Sequence, residues 1–219
     1  MSHGERLQSF QAADLYVVIT EALCAGRTAL DILEMILAAG VRLVQLREKD
    51  LSSRRLYELA VEFRRQTRAV GSLLIINDRL DIAMAAGADG VHLGQDDLPV
   101  RVARRLAPDL LIGASTHSLE EALAAQESGA SYVNIGPVFA TPTKEGVSPL
   151  GPEMIDQVAP HLRIPWTTMG GIKKTNLDQV VARGARHPAV ITAVTAAPDP
   201  EAAARELRQM IAEGLRAHP

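Results

Sequence analysis

Eight short apolar runs, most of them rich in β-branched residues, recur along the 219-residue chain, and a segment with helical spacing separates most of them. The runs are Leu15–Thr20, Val41–Leu46, Leu73–Ile76, Gly90–Leu93, Leu111–Ala114, Tyr132–Ile135, Trp166–Met169 and Ala189–Thr192. Between them, Thr28–Ala39, Ser52–Ala69, Ser118–Ser128, Lys174–Arg183 and Asp199–Ala217 are among the helix candidates, several carrying apolar residues at three- and four-residue intervals. Strict alternation forces parallel strands, because each return to the start of the next strand needs a crossover. Eight such units in a chain of roughly 200 to 250 residues suit a closed barrel better than an open sheet. No G-x-G-x-x-G follows the first run, which removes the usual argument for a dinucleotide fold. The expectation is an α/β chain forming a single (β/α)8 TIM barrel over residues 1–219, with residues 1–13 a flexible N-terminal extension.

A related phrase precedes the second, fourth, sixth and eighth strands: Ala39-Gly40-Val41, Ala86-Gly87-Ala88, Ser128-Gly129-Ala130 and Arg183-Gly184-Ala185. It reads either as a weak repeat of βαβα units or simply as a helix stop, with glycine at a position needing positive φ. Both readings lead to the same architecture.

Composition excludes several function classes. The net charge is −3 and Lys/Arg are interspersed with Asp/Glu, so there is no clustered basic excess of the kind nucleic acid or an anionic membrane requires. An anion bound by this chain must therefore be held by a local site. Cys24 is the sole cysteine, which rules out an internal disulfide. Met1 to Ala13 lack the apolar core of a signal peptide, and no apolar run approaches the roughly 20 residues that span a bilayer. A cytoplasmic protein with no nucleic-acid or membrane partner is expected, and a homo-oligomer is left open.

In a barrel of this type, functional residues gather at the C-terminal ends of the strands. The second strand runs into Gln45-Leu46-Arg47-Glu48-Lys49. Alternation puts Gln45 and Arg47, and Lys49 if the strand continues, on the inward face with Leu43, while Val44 and Leu46 face the helices. Inward cations call for a compensating anion, either a ligand or a structural partner such as Glu48. The third and fourth strands end in Asn77-Asp78 and Gly94-Gln95-Asp96-Asp97. Asp78 with Asp96 or Asp97 can supply the one or two carboxylates that magnesium commonly takes, or Asp78 and Asp97 are helix N-caps. After the fifth strand, Ser115 and His117 are candidate ligand contacts, whereas Ser118 with Glu121 reads as a capping box. The long loop from Gly136 to Gly146 brings hydroxyls and Lys144 to the mouth, and Gly170-Gly171-Ile172 with Thr192 suggests a glycine-lined phosphate site.

With these residues in view, the chain resembles the thiamine phosphate synthases from about Tyr16 to Glu206. The phrases Gln45-x-Arg47-Glu48-Lys49, Asn77-Asp78, Gly94-Gln95-x-Asp97, Thr141-x-Thr143-Lys144 and Gly170-Gly171-Ile172 occur in that family's order and close to its spacing. The resemblance implies an enzyme, a transferase that joins 4-amino-2-methyl-5-(diphosphomethyl)pyrimidine to a small-molecule thiazole, either thiazole phosphate carboxylate or hydroxyethylthiazole phosphate. Thiamine phosphate and pyrophosphate are the products, by a dissociative mechanism. It implies that Gln45, Arg47, Lys49, Asn77, Ser115 and Lys144 hold the pyrimidine diphosphate, with Leu46 and Glu48 in the same binding segment. Arg47, Lys49, Ser115 and Lys144 carry the catalysis. Magnesium falls to Asp78 and Asp97, and thiazole phosphate to Thr141, Pro142, Thr143, Gly171, Ile191 and Thr192.

The sequence departs from the family pattern in places. Thr192 stands where serine is common, Arg186-His187-Pro188 replaces acidic and glycine residues, and Thr167-Thr168-Met169 is unusually polar for a seventh strand. The nearest rival is a thiazole tautomerase on the same barrel using His117 as acid or base, which would not need both magnesium carboxylates. A non-catalytic phosphate-binding regulator is the rival from another class.

Overall fold

The structure is a computed structural model that describes residues 1–141 and 148–217. Eight parallel strands close into a barrel in sequence order. They are β1 (Tyr16–Ile19), β2 (Leu43–Leu46), β3 (Leu73–Asn77), β4 (Gly90–Leu93), β5 (Leu111–Thr116), β6 (Tyr132–Ile135), β7 (Trp166–Met169) and β8 (Pro188–Val190). The crossovers carry α2 (Ala29–Ala38), α3 (Ser53–Ala69), α4 (Leu80–Ala85), α5 (Val100–Leu106), α6 (Leu119–Glu127), α7 (Glu153–Val158) and α8 (Leu177–Val181). A one-turn α9 (Thr192–Thr195) and the long α10 (Pro200–Ala217) follow β8. Among the described residues, no helix is long and apolar enough to cross a membrane.

Strand alternation divides the core. Val17, Ile19, Val44, Leu46, Leu74, Ile76, Val133 and Ile135 pack outward against the helices. Tyr16, Val18, Leu43, Leu73, Ile75, Leu111, Tyr132 and Ala189 fill the barrel interior. Glycine makes room for Tyr132 and His92: a Cβ on Gly113 would lie 2.2 Å from Tyr132 Cζ and 2.6 Å from His92 Nδ1. Bulk at the floor is thus matched by a missing side chain on the neighbouring strand.

The glycine phrases end helices. Gly40 has φ +80°, and the Val41 N–H donates to Ile36 O while the Gly40 N–H donates to Leu37 O. That is the Schellman pattern, and Gly87, Gly129 and Gly184 repeat it with φ of 65°, 91° and 85°. Helices α2, α4, α6 and α8 therefore stop in the same way before each even strand.

Two expectations are corrected. Residues 1–13 are not a flexible extension: α1 (His3–Ala12) is a formed helix with a reciprocal Ser2–Glu5 capping box. It folds because it covers the N-terminal end of the barrel. Phe10 is fully buried, stacked on Tyr132 with ring centroids 4.5 Å apart. Arg6 lies 3.5 Å from the buried Asp89, which also accepts from Arg64 at 2.7 Å, and His3 meets Ser131 at 3.0 Å. The eighth strand is also shorter than Ala189–Thr192. It covers Pro188–Val190, because Ile191 leaves the strand conformation at φ −118°, ψ −92° and Thr192 begins α9. Pro188 is tolerated as the first strand residue, where an N–H is least needed.

Candidate active site

A cavity of about 360 Å³ opens at the C-terminal ends of the strands. Its walls include Gln45, Arg47, Lys49, Asn77, Asp78, Asp97, Ser115, Thr141, Gly171, Ile191 and Thr192, all of them sequence candidates. Leu46 and Glu48 do not line it. Alternation turns Leu46 into the helix-facing core, and the Glu48 carboxylate accepts the Glu21 N–H at 2.6 Å, with burial raising its pKa. Among the described residues Glu48 makes no ion pair, and Arg47 acts on its carboxylate through space, against the effect of burial. Pro142, Thr143 and Lys144 lie outside the described residues.

The cationic wall comes from β2. The Arg47 carbonyl accepts from the Thr20 hydroxyl at 2.7 Å, which ties the end of β2 to the end of β1. Lys49 lies 3.8 Å from Asp78 with its side chain 58% exposed, so the pair is loose and open to a stronger anion.

Asp78 follows β3 in the left-handed region at φ +60°, a conformation that costs a non-glycine residue but that aspartate accepts better than most. Its N–H donates to His92 O at 2.8 Å, and the turn continues through Arg79 N–H to Asn77 O at 2.7 Å. Across from it, the Asp97 carboxylate accepts the Gly94 N–H at 2.6 Å, which folds the β4 loop back on itself. Burial, followed by the facing Asp97 carboxyl, pushes the Asp78 pKa up to about 6, with Lys49 and Arg47 pulling the other way. Neither acid is a helix cap: α4 and α5 have Arg79 and Pro99 at their N-caps and no side-chain cap bond.

Among the described residues, no group of three or more His, Cys, Asp or Glu side chains is arranged to hold a metal. The donor set nevertheless fits magnesium, which prefers hard oxygen ligands and is usually held by one or two carboxylates with phosphate oxygens and water completing its shell. A buried carboxyl whose proton affinity is raised by a facing carboxyl, as at Asp78, is also one that a divalent cation would relieve.

On the opposite side, the β6 loop is zipped to the end of β7: Val138 N–H donates to Met169 O at 2.9 Å and Phe139 N–H to Gly170 O at 3.0 Å. Gly171 has φ +63°, and a Cβ there would lie 2.4 Å from Ala140 O. Its bare backbone is needed to seat the β6 loop as well as to leave space in the cavity. Asn176 holds the turn by donating to Gly171 O at 3.1 Å and accepting the Lys173 N–H at 2.7 Å.

His117 stands at the rim, its Nδ1 3.0 Å from the Glu121 carboxylate, which also accepts the His117 N–H at 2.8 Å. The capping box expected of Ser118 and Glu121 is therefore half made. Ser118 accepts the Glu121 N–H at 3.2 Å, but the Glu121 carboxylate serves His117.

Sequence reasoning missed His92, Asn134 and Lys173, which also line the cavity. His92 and Asn134 were within reach of the alternation that found Gln45, being inward on β4 and β6. The polar seventh strand is explained as well. Thr167 donates to Asn134 Oδ1 at 2.9 Å and Thr168 to Ile135 O at 2.9 Å, so both hydroxyls are satisfied by β6.

The family described as thiamine monophosphate synthase matches residues 15–194. The thiamine-phosphate synthase of Chloroflexus aurantiacus is 46% identical over 198 residues, covering 90% of this chain and 92% of that protein. The thiamine-phosphate synthase of Moorella thermoacetica is 45% identical over 200 residues, covering 90% of this chain and 95% of that protein. A solved structure of thiamine phosphate pyrophosphorylase from Pyrococcus furiosus superposes with a TM-score of 0.87 at 37% identity, over 94% of this chain and 98% of that one. The matched region begins before β1 and reaches into α9, so it takes in all eight strands and their ends, and the chain belongs to the thiamine monophosphate synthase family.

Proposed function

We propose that the barrel mouth divides the family's reaction between two subsites, with pyrimidine diphosphate and magnesium on the β2 to β4 side and thiazole phosphate on the β7 to β8 side. The chain is a transferase of thiamine biosynthesis, a thiamine phosphate synthase. One observation carries the subsite reading: two cations just after β2, Arg47 and Lys49, share a cavity wall with the facing carboxyls of Asp78 and Asp97. A diphosphate with a divalent cation is the ligand that answers both charges at once. Asn77, Ser115 and Gln45 are the neutral polar groups left to orient the aminopyrimidine, and Lys144 is assigned to the same diphosphate.

Asp78 and Asp97 would hold the magnesium, which when bound supplies charge that stabilises the departing pyrophosphate. The protein's own part follows from where charge develops. As the methylene C–O bond breaks, its electron pair leaves on the diphosphate, and Arg47 and Lys49, with Lys144 assigned to the same group, stabilise that charge. The aminopyrimidine delocalises the positive charge left behind. The thiazole nitrogen then donates its lone pair to form the new C–N bond. That nitrogen carries no proton, so no general base is required. Gly171, Ile191, Thr192 and Thr141, with Pro142 and Thr143, are assigned to thiazole phosphate, whose position then decides whether the nitrogen meets the cation.

The reading extends to a cytoplasmic enzyme acting on small molecules, with no nucleic-acid or membrane partner and self-association left open. It is tested by incubating the purified protein with both substrates. One pyrophosphate should appear per thiamine phosphate, chelation should stop both together, and magnesium should restore both. Magnesium-independent turnover of a thiazole carboxylate alone, lost in His117→Ala and with no condensation product, would support the tautomerase instead.

A further inference from the structure

A chain of hydrogen bonds runs beneath the cavity and includes three residues of its wall, Gln45, His92 and Ser115. Gln45 Nε2 donates to Tyr16 Oη at 2.6 Å, and Tyr16 Oη lies 3.2 Å from Tyr132 Oη. His92 Nδ1 is 3.1 Å from Tyr132 Oη, and His92 Nε2 is 2.9 Å from Ser115 Oγ. Both tyrosines are fully buried, and His92 and Gln45 are 5% and 1% exposed.

Each hydroxyl in this chain has one hydrogen, so its direction can be worked out. Tyr16 Oη accepts from the Gln45 amide, which leaves its own hydrogen for Tyr132. Tyr132 accepts there and must donate onward, and its remaining partner in the chain is His92 Nδ1. That nitrogen is then an acceptor, so the imidazole proton sits on Nε2, where it is donated to Ser115. Ser115 Oγ is thereby occupied as an acceptor. Its hydrogen is left to be donated into the cavity.

We infer that His92 is a positioning residue that, together with Tyr132 and Tyr16, fixes Ser115 as a hydrogen-bond donor to the pyrimidine diphosphate, with its direction set by the amide of Gln45. The hydroxyl's direction follows from the orientation of the Gln45 amide, whose Nε2 faces Tyr16 Oη. That its acceptor is the pyrimidine diphosphate rests on the subsite reading above. The device gives a serine the role of a fixed donor: an unconstrained hydroxyl rotates, and part of the cost of orienting it would otherwise fall on the reaction. It also accounts for five polar side chains joined in a row through a largely buried part of the barrel, since a buried network of this kind is tolerated only when every member is satisfied.

Two measurements test it. The first uses the unmodified protein without substrate: ¹⁵N NMR of the histidine rings should show His92 as the neutral Nε2–H tautomer. An Nδ1–H tautomer would reverse the chain and overturn the inference, whatever reaction the enzyme performs. The second is a mutant cycle on thiamine phosphate formation. Tyr132→Phe keeps the ring and its stacking but removes the link. It should lower kcat by about 3- to 10-fold, the range set by one hydrogen bond, with a smaller change in KM for the pyrimidine diphosphate. The same substitution made on top of Ser115→Ala should cost almost nothing more. His92→Gln, which can still place an amide donor near Ser115, should retain more activity than His92→Leu. Additive losses in the cycle, or equal activity of the two His92 variants, would overturn the positioning role. Failure of the unmodified protein to make thiamine phosphate would instead count against the subsite reading and leave the tautomer result standing.

Discussion

Asp97→Asn isolates charge from geometry at the carboxylate pair. Asp97 has a structural task, since its carboxylate accepts the Gly94 N–H at 2.6 Å and holds the β4 loop. Asparagine keeps a carbonyl oxygen for that bond, so the loop and the fold should survive with a change in stability of about 1 kcal/mol or less. The substitution removes one of the two facing negative charges, and with it half of the carboxylate donor set for a divalent ion. Loss of one preorganised electrostatic contact in such a site costs roughly 2.7–4 kcal/mol in the transition state, or about 10²- to 10³-fold in kcat. The assay is continuous pyrophosphate release at saturating substrates over a range of magnesium concentrations. The variant should need more magnesium and still fall short in kcat, while its urea midpoint stays close to that of the unmodified protein. Near-normal turnover at limiting magnesium would refute the assignment of the pair to the metal. A collapse of stability together with activity would mean that the Gly94 bond, not the charge, was the essential part.

Three further outcomes follow from other parts of the structure. Phe10→Ala should destabilise the protein by about 3–5 kcal/mol in urea unfolding, because it opens a cavity between Tyr132 and His187 at the barrel floor; a loss under about 0.5 kcal/mol would mean that α1 is dispensable. His187 is buried, and desolvation, with Arg186 nearby, lowers its pKa from 6.5 to about 4. The folded state keeps it neutral while the unfolded chain protonates it, so stability should be unaffected above about pH 6.5 and fall by about 3 kcal/mol as the pH drops towards 4, and His187→Asn should flatten that slope. Gly171→Val places a side chain against Ala140 O and Phe139 at a positive φ, and should raise the half-saturating concentration of thiazole phosphate about 10-fold or more with a smaller effect on pyrimidine diphosphate; the opposite pattern would invert the two subsites.

The barrel was legible because its signal is periodic and local. Each strand alternates its faces, and the same alternation that places Leu43 inside places Gln45 on the cavity wall. Helix α1 was overlooked although its mark was present: Ser2 and Glu5 have the spacing of a capping box, and Leu7 and Phe10 are three apart. Its apolar content is too small to stand out, and its stability comes from contacts with Tyr132 and Asp89, more than 75 residues away in sequence. Distance in sequence also hid the partners of the polar groups. Nothing local in Thr167 indicates that it binds Asn134, and nothing local in His92 indicates that it joins Tyr132 to Ser115. The carboxylate pair was recognised, but the choice between metal ligand and helix cap needed the actual helix starts at Leu80 and Val100.

The central claim is the division of the mouth into a diphosphate side and a phosphate side, and a crystal structure of the protein with magnesium, pyrophosphate and thiamine phosphate tests it most directly. The account predicts a metal about 2.1 Å from carboxylate oxygens of Asp78 and Asp97, with pyrophosphate against Arg47 and Lys49 and the thiazole phosphate at Gly171 and Thr192. Pyrophosphate seated at Gly171 and Thr192, or a metal bound away from both aspartates, would contradict it.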